Sequence, residues 1–588
     1  MIWIVIGGFT ISYFVLHQDW LSRIYPTPDD WSYVAKLAWH TAKAEEELEQ
    51  GGGVGLTDWG VVGRRYQNVA TICEKGSIFR AYVNPLPNHD EWDRTIPGLD
   101  VEDAERDRTI PGLDVEDAEK EPDDTSSPSR KIGYDIESKS DAWRQCYFEA
   151  LLGVARAAEM MEDWVADTRQ ELCFPKEQMV GPSNPYPKPI WPGSPSAPRE
   201  EDCLPVFDTP KVYYTRILTT KGLSRQQKIK AGLAYAAWYD FKGDHSTANA
   251  LHRWVLKLAV DGLSHPDKSI QPLATTSAFL DKDTGVIPSS APYTTSNVLI
   301  ATTALASHIA RYGSTRPGTD QSTSAPLRAL PIYLSILRAR GSAPTSPSDV
   351  FGSSPKPDYS LTTMSSITLW LRSLPFRSHM VADSTTGDEP YTRTALSDCE
   401  DAALMNFVGE VLYASTLDDS SSAKSSSSKM LDKRRREALG WTRDAVRIAE
   451  RGATDHRQDE QGRRTCMQCL GAGLENWNKM VGALAKEENT MLKKKQANGG
   501  FSEGGQSTWK FWRWGQQEQD LPVKHTAIDP ALLIADNSMV QEGITTLSEG
   551  EWTKEAAMVQ MRLHEFREAK LMEQLNRHIR AKSNWFVI

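Results

Sequence analysis

AGLAYAAWYDFKGDHSTANALHRWVLKLAVDG, running from Ala231 to Gly262, is the stretch that decides how the chain folds. Apolar residues recur in it at steps of three and four, the period of an amphipathic helix rather than of a strand. Gly243 interrupts the pattern near its middle, so two helices joined by a tight turn are expected, with the glycine taking the positive φ of that turn. Small residues fall at Ala236 before the turn and at Ala248 after it. Placed face to face, they would let two antiparallel backbones approach closely. Tyr239 supplies an aromatic before the turn. His252 and Val255 fill a paired bulky and small position beyond it.

Working outward, weaker copies of this arrangement follow. Ala306 and Gly313 close a helix in NVLIATTALASHIARYG, and Ala329 and Tyr333 resume in ALPIYLSILRAR. Gly409 lies in DAALMNFVGEVLYA, and Ala438, Thr442 and Ala445 in EALGWTRDAVRIAE. A small residue, an aromatic, a turn glycine and a second small residue, repeated along a chain, are the spacings of tetratricopeptide (TPR) repeats. Each such unit buries its apolar face only by stacking on its neighbours. The expected fold is therefore all-α: a TPR-like helical repeat superhelix with an N-terminal transmembrane helix and disordered insertions. No alternation of period two extends over several strands, so a sheet is not expected.

The membrane element is Ile2 to Leu16, IWIVIGGFTISYFVL, which carries no charge. Trp3 and Trp20 stand at its ends as interfacial anchors, and apolar character resumes at Leu21. No basic segment precedes it and no small-residue cleavage site follows, which favours an uncleaved anchor over a signal peptide. Residues 1–21 are thus expected to be a transmembrane anchor and 29–84 a first helix pair. Residues 85–140 form an acidic insertion that contains the tandem copy DRTIPGLDVEDAE, starting at Asp93 and again at Asp107. Residues 141–496 form the array, interrupted by segments rich in Pro, Ser and Thr. Residues 497–550 are a tryptophan-containing loop and 551–588 a capping helix. The insertions, Pro175–Pro210 among them, bury too little apolar surface to offset chain entropy and read as exposed.

Composition narrows the function. The 588 residues carry a net charge of −11, which disfavours nucleic acid as the main partner because phosphate binding needs a basic surface. Seven cysteines in a chain of this length do not make a disulfide scaffold. Cys466 and Cys469 form a C-x-x-C on an expected helix, but no second ligand pair accompanies them, so a zinc knuckle is not supported. They read as small apolar residues on a packing face, with a regulatory disulfide as the other reading. The twelve histidines include no H-E-x-x-H, and His252 reads as a packing residue. The glycine run at Gly51 follows a helix end rather than a strand, so it is no phosphate cradle. An enzyme is not expected, and neither a cofactor nor a metal. Trp509, Phe511, Trp512 and Trp514, interleaved with Lys510 and Arg513, suit a membrane interface or a partner pocket. Their other reading is a fold-back over the open end of the last repeat.

Taken together, the anchor, the tryptophan-rich first pair DDWSYVAKLAWHTA, the interrupted repeats and the late helix with Cys466 and Cys469 before LENWNKMVGAL have a known counterpart. Their order resembles the fungal TPR-like membrane adaptor of the mitochondrial i-AAA protease. The resemblance implies a protein of the mitochondrial inner membrane, its soluble part in the intermembrane space. Its partners would be an AAA protease subunit and unfolded substrate polypeptides. A mitochondrial assembly factor or import receptor on the same scaffold is the alternative.

Overall fold

The computed structural model describes residues 18, 21–22, 24–50, 58–75, 84–85, 133–170, 172–190, 196–261, 279–281, 284–291, 293–312, 325–345, 386–394, 396–420, 428–455, 460–498 and 551–586. The chain divides into two compact units, one of residues 1–469 with 571–588, the other of residues 470–570.

The first unit is mostly helical. Its helices are α1 (Tyr33–Gln50), α2 (Trp59–Lys75), α3 (Asp141–Met160), α4 (Pro210–Thr219), α5 (Arg225–Lys242), α6 (His245–Asp261), α7 (Ser296–Tyr312), α8 (Ala325–Gly341), α9 (Ser397–Ser420), α10 (Ser428–Thr454) and the first turns of α11 (Glu460–Asn498). From α1 to α10, each helix packs on the next in sequence. Contacts that skip a helix, α5 with α7 and α3 with α5, are minor. This is the order expected when each amphipathic helix finds its cover in its neighbour.

Local chemistry explains the boundaries. Ser140 caps α3 by accepting from the Trp143 N–H. Ser224 and Gln227 close a capping box at the start of α5, which satisfies two amides that a helix N-terminus leaves open. At the other end of α5, Gly243 adopts φ 83°, a left-handed conformation that a side chain disfavours, and α6 begins two residues later. Around α1 to α5 the core is built largely of aromatic rings. Trp31 meets Trp39 edge-on, Trp39 meets Tyr66, and Tyr214 stacks on Tyr235. Two tyrosine hydroxyls enter this core paired with carboxylates: Tyr147 Oη donates to Glu74, which also faces Arg216, and Tyr66 Oη donates to Glu46.

In the second unit, α11 from Leu470 onward lies antiparallel to α12 (Glu551–Phe586) as far as Lys570. Gly471 faces the Phe566 ring, Glu475 pairs with Arg567, and Glu488 accepts from Thr553. Trp477 donates through Nε1 to Glu555 at 2.8 Å and carries the Arg562 guanidinium over its ring.

Three expectations change. First, a sheet does occur: β3 (Trp164–Asp167), β4 (Leu172–Pro175) and β5 (Cys203–Pro205) form an antiparallel sheet in the order β4-β3-β5. Helix α3 stops at Met160, just before the first of these strands. Part of the proline-rich stretch thereby pairs its backbone instead of remaining a bare insertion, and Val165 and Phe174 are buried. Second, the end of the acidic insertion belongs to the core. There β2 (Tyr134–Asp135) pairs with β1 (Asn84–Pro85), Ile136 is fully buried, and the Gly133 backbone lies against Thr219 and Thr220. Third, α4 begins at Pro210, where the segment read as non-packing ends, in a stretch where no helix is expected. Pro210 sits at its first turn, and Tyr213, Tyr214, Ile217 and Leu218 point inward.

Among the described residues, no helix is long and apolar enough to cross a membrane. The anchor expected over 1–21 falls almost wholly outside those residues, as do the tandem copies at Asp93 and Asp107.

Candidate functional site: a carboxylate ringed by histidines

The residues singled out from the pattern take up distinct positions. Ala236, Ala248, Val255, Ala306, Ala329 and Ala438 are all completely buried, with Tyr333 and Ala445 nearly so. Tyr239 is only half-buried and leans on Tyr235, their hydroxyls 3.1 Å apart. Gly409 lies where α9 crosses α10: a Cβ built there would come within 2.4 Å of Thr442 Oγ1 and 2.8 Å of the Ala438 carbonyl. At the α5–α6 crossing Gly232 makes a tight contact. A Cβ on Gly232 would lie 2.6 Å from Val255 Cγ2. Gly313, Trp509, Phe511, Trp512 and Trp514 lie outside the described residues.

His252 is buried as a packing residue should be, but packing is not its only role. It faces Asp240, from the last turn of α5, and His308, from α7. His308 Nδ1 is 3.0 Å from Asp240 Oδ2, and His252 Nε2 is 3.7 Å from the same oxygen. On the other oxygen, Oδ1, stands His245 Nδ1 at 3.2 Å. The Tyr312 ring stacks on His245 at 3.9 Å between centroids, so an aromatic wall backs that side. One carboxylate, carried by α5, is thus ringed by three imidazoles, two from α6 and one from α7.

The imidazole of His252 is poorly served. A separation of 3.7 Å is too long for a hydrogen bond, and Nδ1 has no partner at all. Burial, then the neighbouring His308, push its pKa down to about 4, against the opposing pull of Asp240. The ring is therefore neutral near pH 7 and presents a lone pair. Asp240, His252 and His308 each offer one donor atom, and these atoms all lie within 4.8 Å of one another. Such a set could hold a divalent cation.

Sequence reasoning missed this cluster for a simple reason. Asp240, His245 and His252 are close in sequence, but His308 is 68 residues from Asp240 and no ligand spacing links them. The nearest signal was a polar residue, His252, at a position where bulk was expected.

The cysteine reading also changes. Cys466 is disulfide-bonded to Cys399 of α9, with Cα atoms 5.1 Å apart, while its C-x-x-C companion Cys469 is free and half-buried. Gly452 of α10 faces the bridge, since a Cβ there would lie 2.3 Å from Cys399 Sγ. Burial raises the Cys469 thiol above its ordinary pKa, and Glu400 adds to the effect.

Comparison with known proteins finds no family model, no curated protein and no solved structure that matches the chain.

Proposed function

We propose that the chain is a membrane-tethered, TPR-like scaffold that holds other proteins. In its most specific form it is a mitochondrial inner-membrane adaptor bringing substrate proteins to an i-AAA protease for quality control. The observation that carries the scaffold reading is the strict neighbour-on-neighbour packing of α1 to α10, with glycines at two helix crossings and the left-handed Gly243 between α5 and α6. Quasi-one-dimensional packing of this kind suits a surface for extended or helical peptides. The uncharged Ile2–Leu16 segment supports the tether. The Cys399–Cys466 bridge supports a compartment where disulfides persist. The adaptor role itself rests on the resemblance in layout.

Affinity purification of the full-length protein in mild detergent tests the reading. Recovery of an AAA protease subunit, together with resistance to carbonate extraction, is expected. Recovery of import or assembly machinery in its place would overturn the adaptor role. Release of the full-length chain by carbonate would overturn the tether.

A further inference from the structure

We propose that Asp240, His252 and His308 bind a zinc ion, which fastens α7 onto the α5–α6 pair. This is independent of which protein the scaffold holds. The geometry suits the ion. Zinc takes nitrogen and oxygen ligands at about 2.0–2.2 Å in a tetrahedron, which puts neighbouring donors about 3.3 Å apart. The distances to Asp240 Oδ2, 3.0 Å from His308 Nδ1 and 3.7 Å from His252 Nε2, lie on either side of that value.

The chemistry of the donor set points the same way. Two imidazoles with one carboxylate suit zinc-class transition metals, whereas calcium and magnesium take oxygen ligands. The carboxylate is already oriented, because His245 holds Oδ1 and leaves Oδ2 to the ion. Partners of this kind, placed behind a ligand, set its direction and basicity. A cation at this point would also draw in His252 Nε2, which stands 3.7 Å from Asp240 Oδ2 within this buried cluster, beyond hydrogen-bond reach. The side chain of Asp240 is 13% exposed against 6% for each of the two ligating histidines. The open side is therefore at the carboxylate, where water completes the tetrahedron. Every ligand comes from a different helix, so binding the ion and packing the three helices are one event.

The test uses the full-length protein, prepared without a polyhistidine tag or chelator, saturated with zinc and dialysed. One zinc per chain and a higher melting temperature than the chelated protein are expected. His252→Leu and His308→Leu should each abolish both effects, since leucine fills the space without ligating. His245→Ala should keep the stoichiometry and weaken affinity about 10- to 100-fold. Should the leucine variants fail to fold, cobalt(II) added to the wild-type protein decides the matter. Visible d–d bands without a thiolate charge-transfer band identify a nitrogen and oxygen site. Substoichiometric zinc, retention of zinc in both leucine variants, or thiolate bands from cobalt would each overturn the assignment.

Discussion

At one joint of the first unit, α7 is fastened to the α5–α6 pair by His308 reaching Asp240. At another, the first turns of α11 are fastened to the α9–α10 pair by Cys466 bonded to Cys399. Both pairs use a glycine at their own crossing, Gly232 in one and Gly409 in the other. The same packing problem is therefore met twice, and only the fastening of the third helix differs. A hydrogen-bonded joint can be loosened by protons or tightened by a cation. A covalent joint answers only to reductant. The contrast suggests that the two ends of the array have unequal freedom, with the polar joint the adjustable one.

The largest expected effect comes from cutting the covalent joint. A bridge between residues 67 apart closes a long loop, and removing such a bridge costs about 2–4 kcal/mol. Cys399→Ala with Cys466→Ala should therefore speed hydrogen exchange through α9 and the start of α11. His308→Leu in the metal-free protein removes one buried hydrogen bond from a carboxylate that His245 still holds, and should cost about 1–3 kcal/mol around α7. Equal losses at the two joints, read by exchange mass spectrometry on peptides from each, would break the comparison.

The two glycines sharpen it. Ala at either position gains about 1 kcal/mol of helix propensity, and the surroundings decide whether that gain survives. At Gly409 the added carbon meets a backbone carbonyl, that of Ala438, which cannot rotate away. Overpacking of this sort costs about 1–3 kcal/mol, so Gly409→Ala should be destabilising on balance. At Gly232 the carbon meets side-chain atoms alone, Val255 Cγ2 at 2.6 Å and the Trp254 ring at 3.4 Å. The buried, β-branched Val255 yields little, so Gly232→Ala should be destabilising too, by less than Gly409→Ala. Ala248→Leu, at a fully buried position, should cost about as much as the Gly409 change. Denaturant unfolding ranks the three, and a Gly232→Ala loss larger than that of Gly409→Ala would reverse the argument.

What could be read from the chain, and what could not, divides along the same line. Gly243, Ala248, Val255, Gly409 and Ala438 were visible because helical contacts recur at short, regular spacing and demand small residues. The fastenings were not, because His308 and Cys466 act across distances in sequence that carry no period. The C-x-x-C drew attention to Cys469, the thiol that stays free, while the true partner Cys399 lay in a helix read only for its packing. The strand Trp164–Asp167 is four residues long, too short to show an alternation against the helix before it. Helix α4 was masked by the prolines upstream, although Pro210 at its first turn is itself a start signal.

The smallest effect concerns the outer surface of the polar joint. Lys242 closes α5 next to the turn glycine and reads as an idle surface residue, but the structure gives it work. Its Nζ is 2.8 Å from Glu162 Oε1, and the Trp238 indole donates to the other oxygen of that carboxylate at 3.2 Å. Lys242 also lies over the Trp238 ring at 6.0 Å. Half-exposed pairs of this kind contribute about 0.2–1 kcal/mol, and salt weakens them. Lys242→Ala should therefore lower stability by no more than about 1 kcal/mol, with the loss shrinking as ionic strength rises. Lys257→Ala, on the exposed face of α6, should change stability by less than about 0.5 kcal/mol at any salt. A double-mutant cycle of Lys242→Ala with Glu162→Gln isolates the pair. Coupling that vanishes at low salt would mean that the joint is held by its buried cluster alone. Coupling well above 1 kcal/mol would mean instead that the rim shares in the fastening.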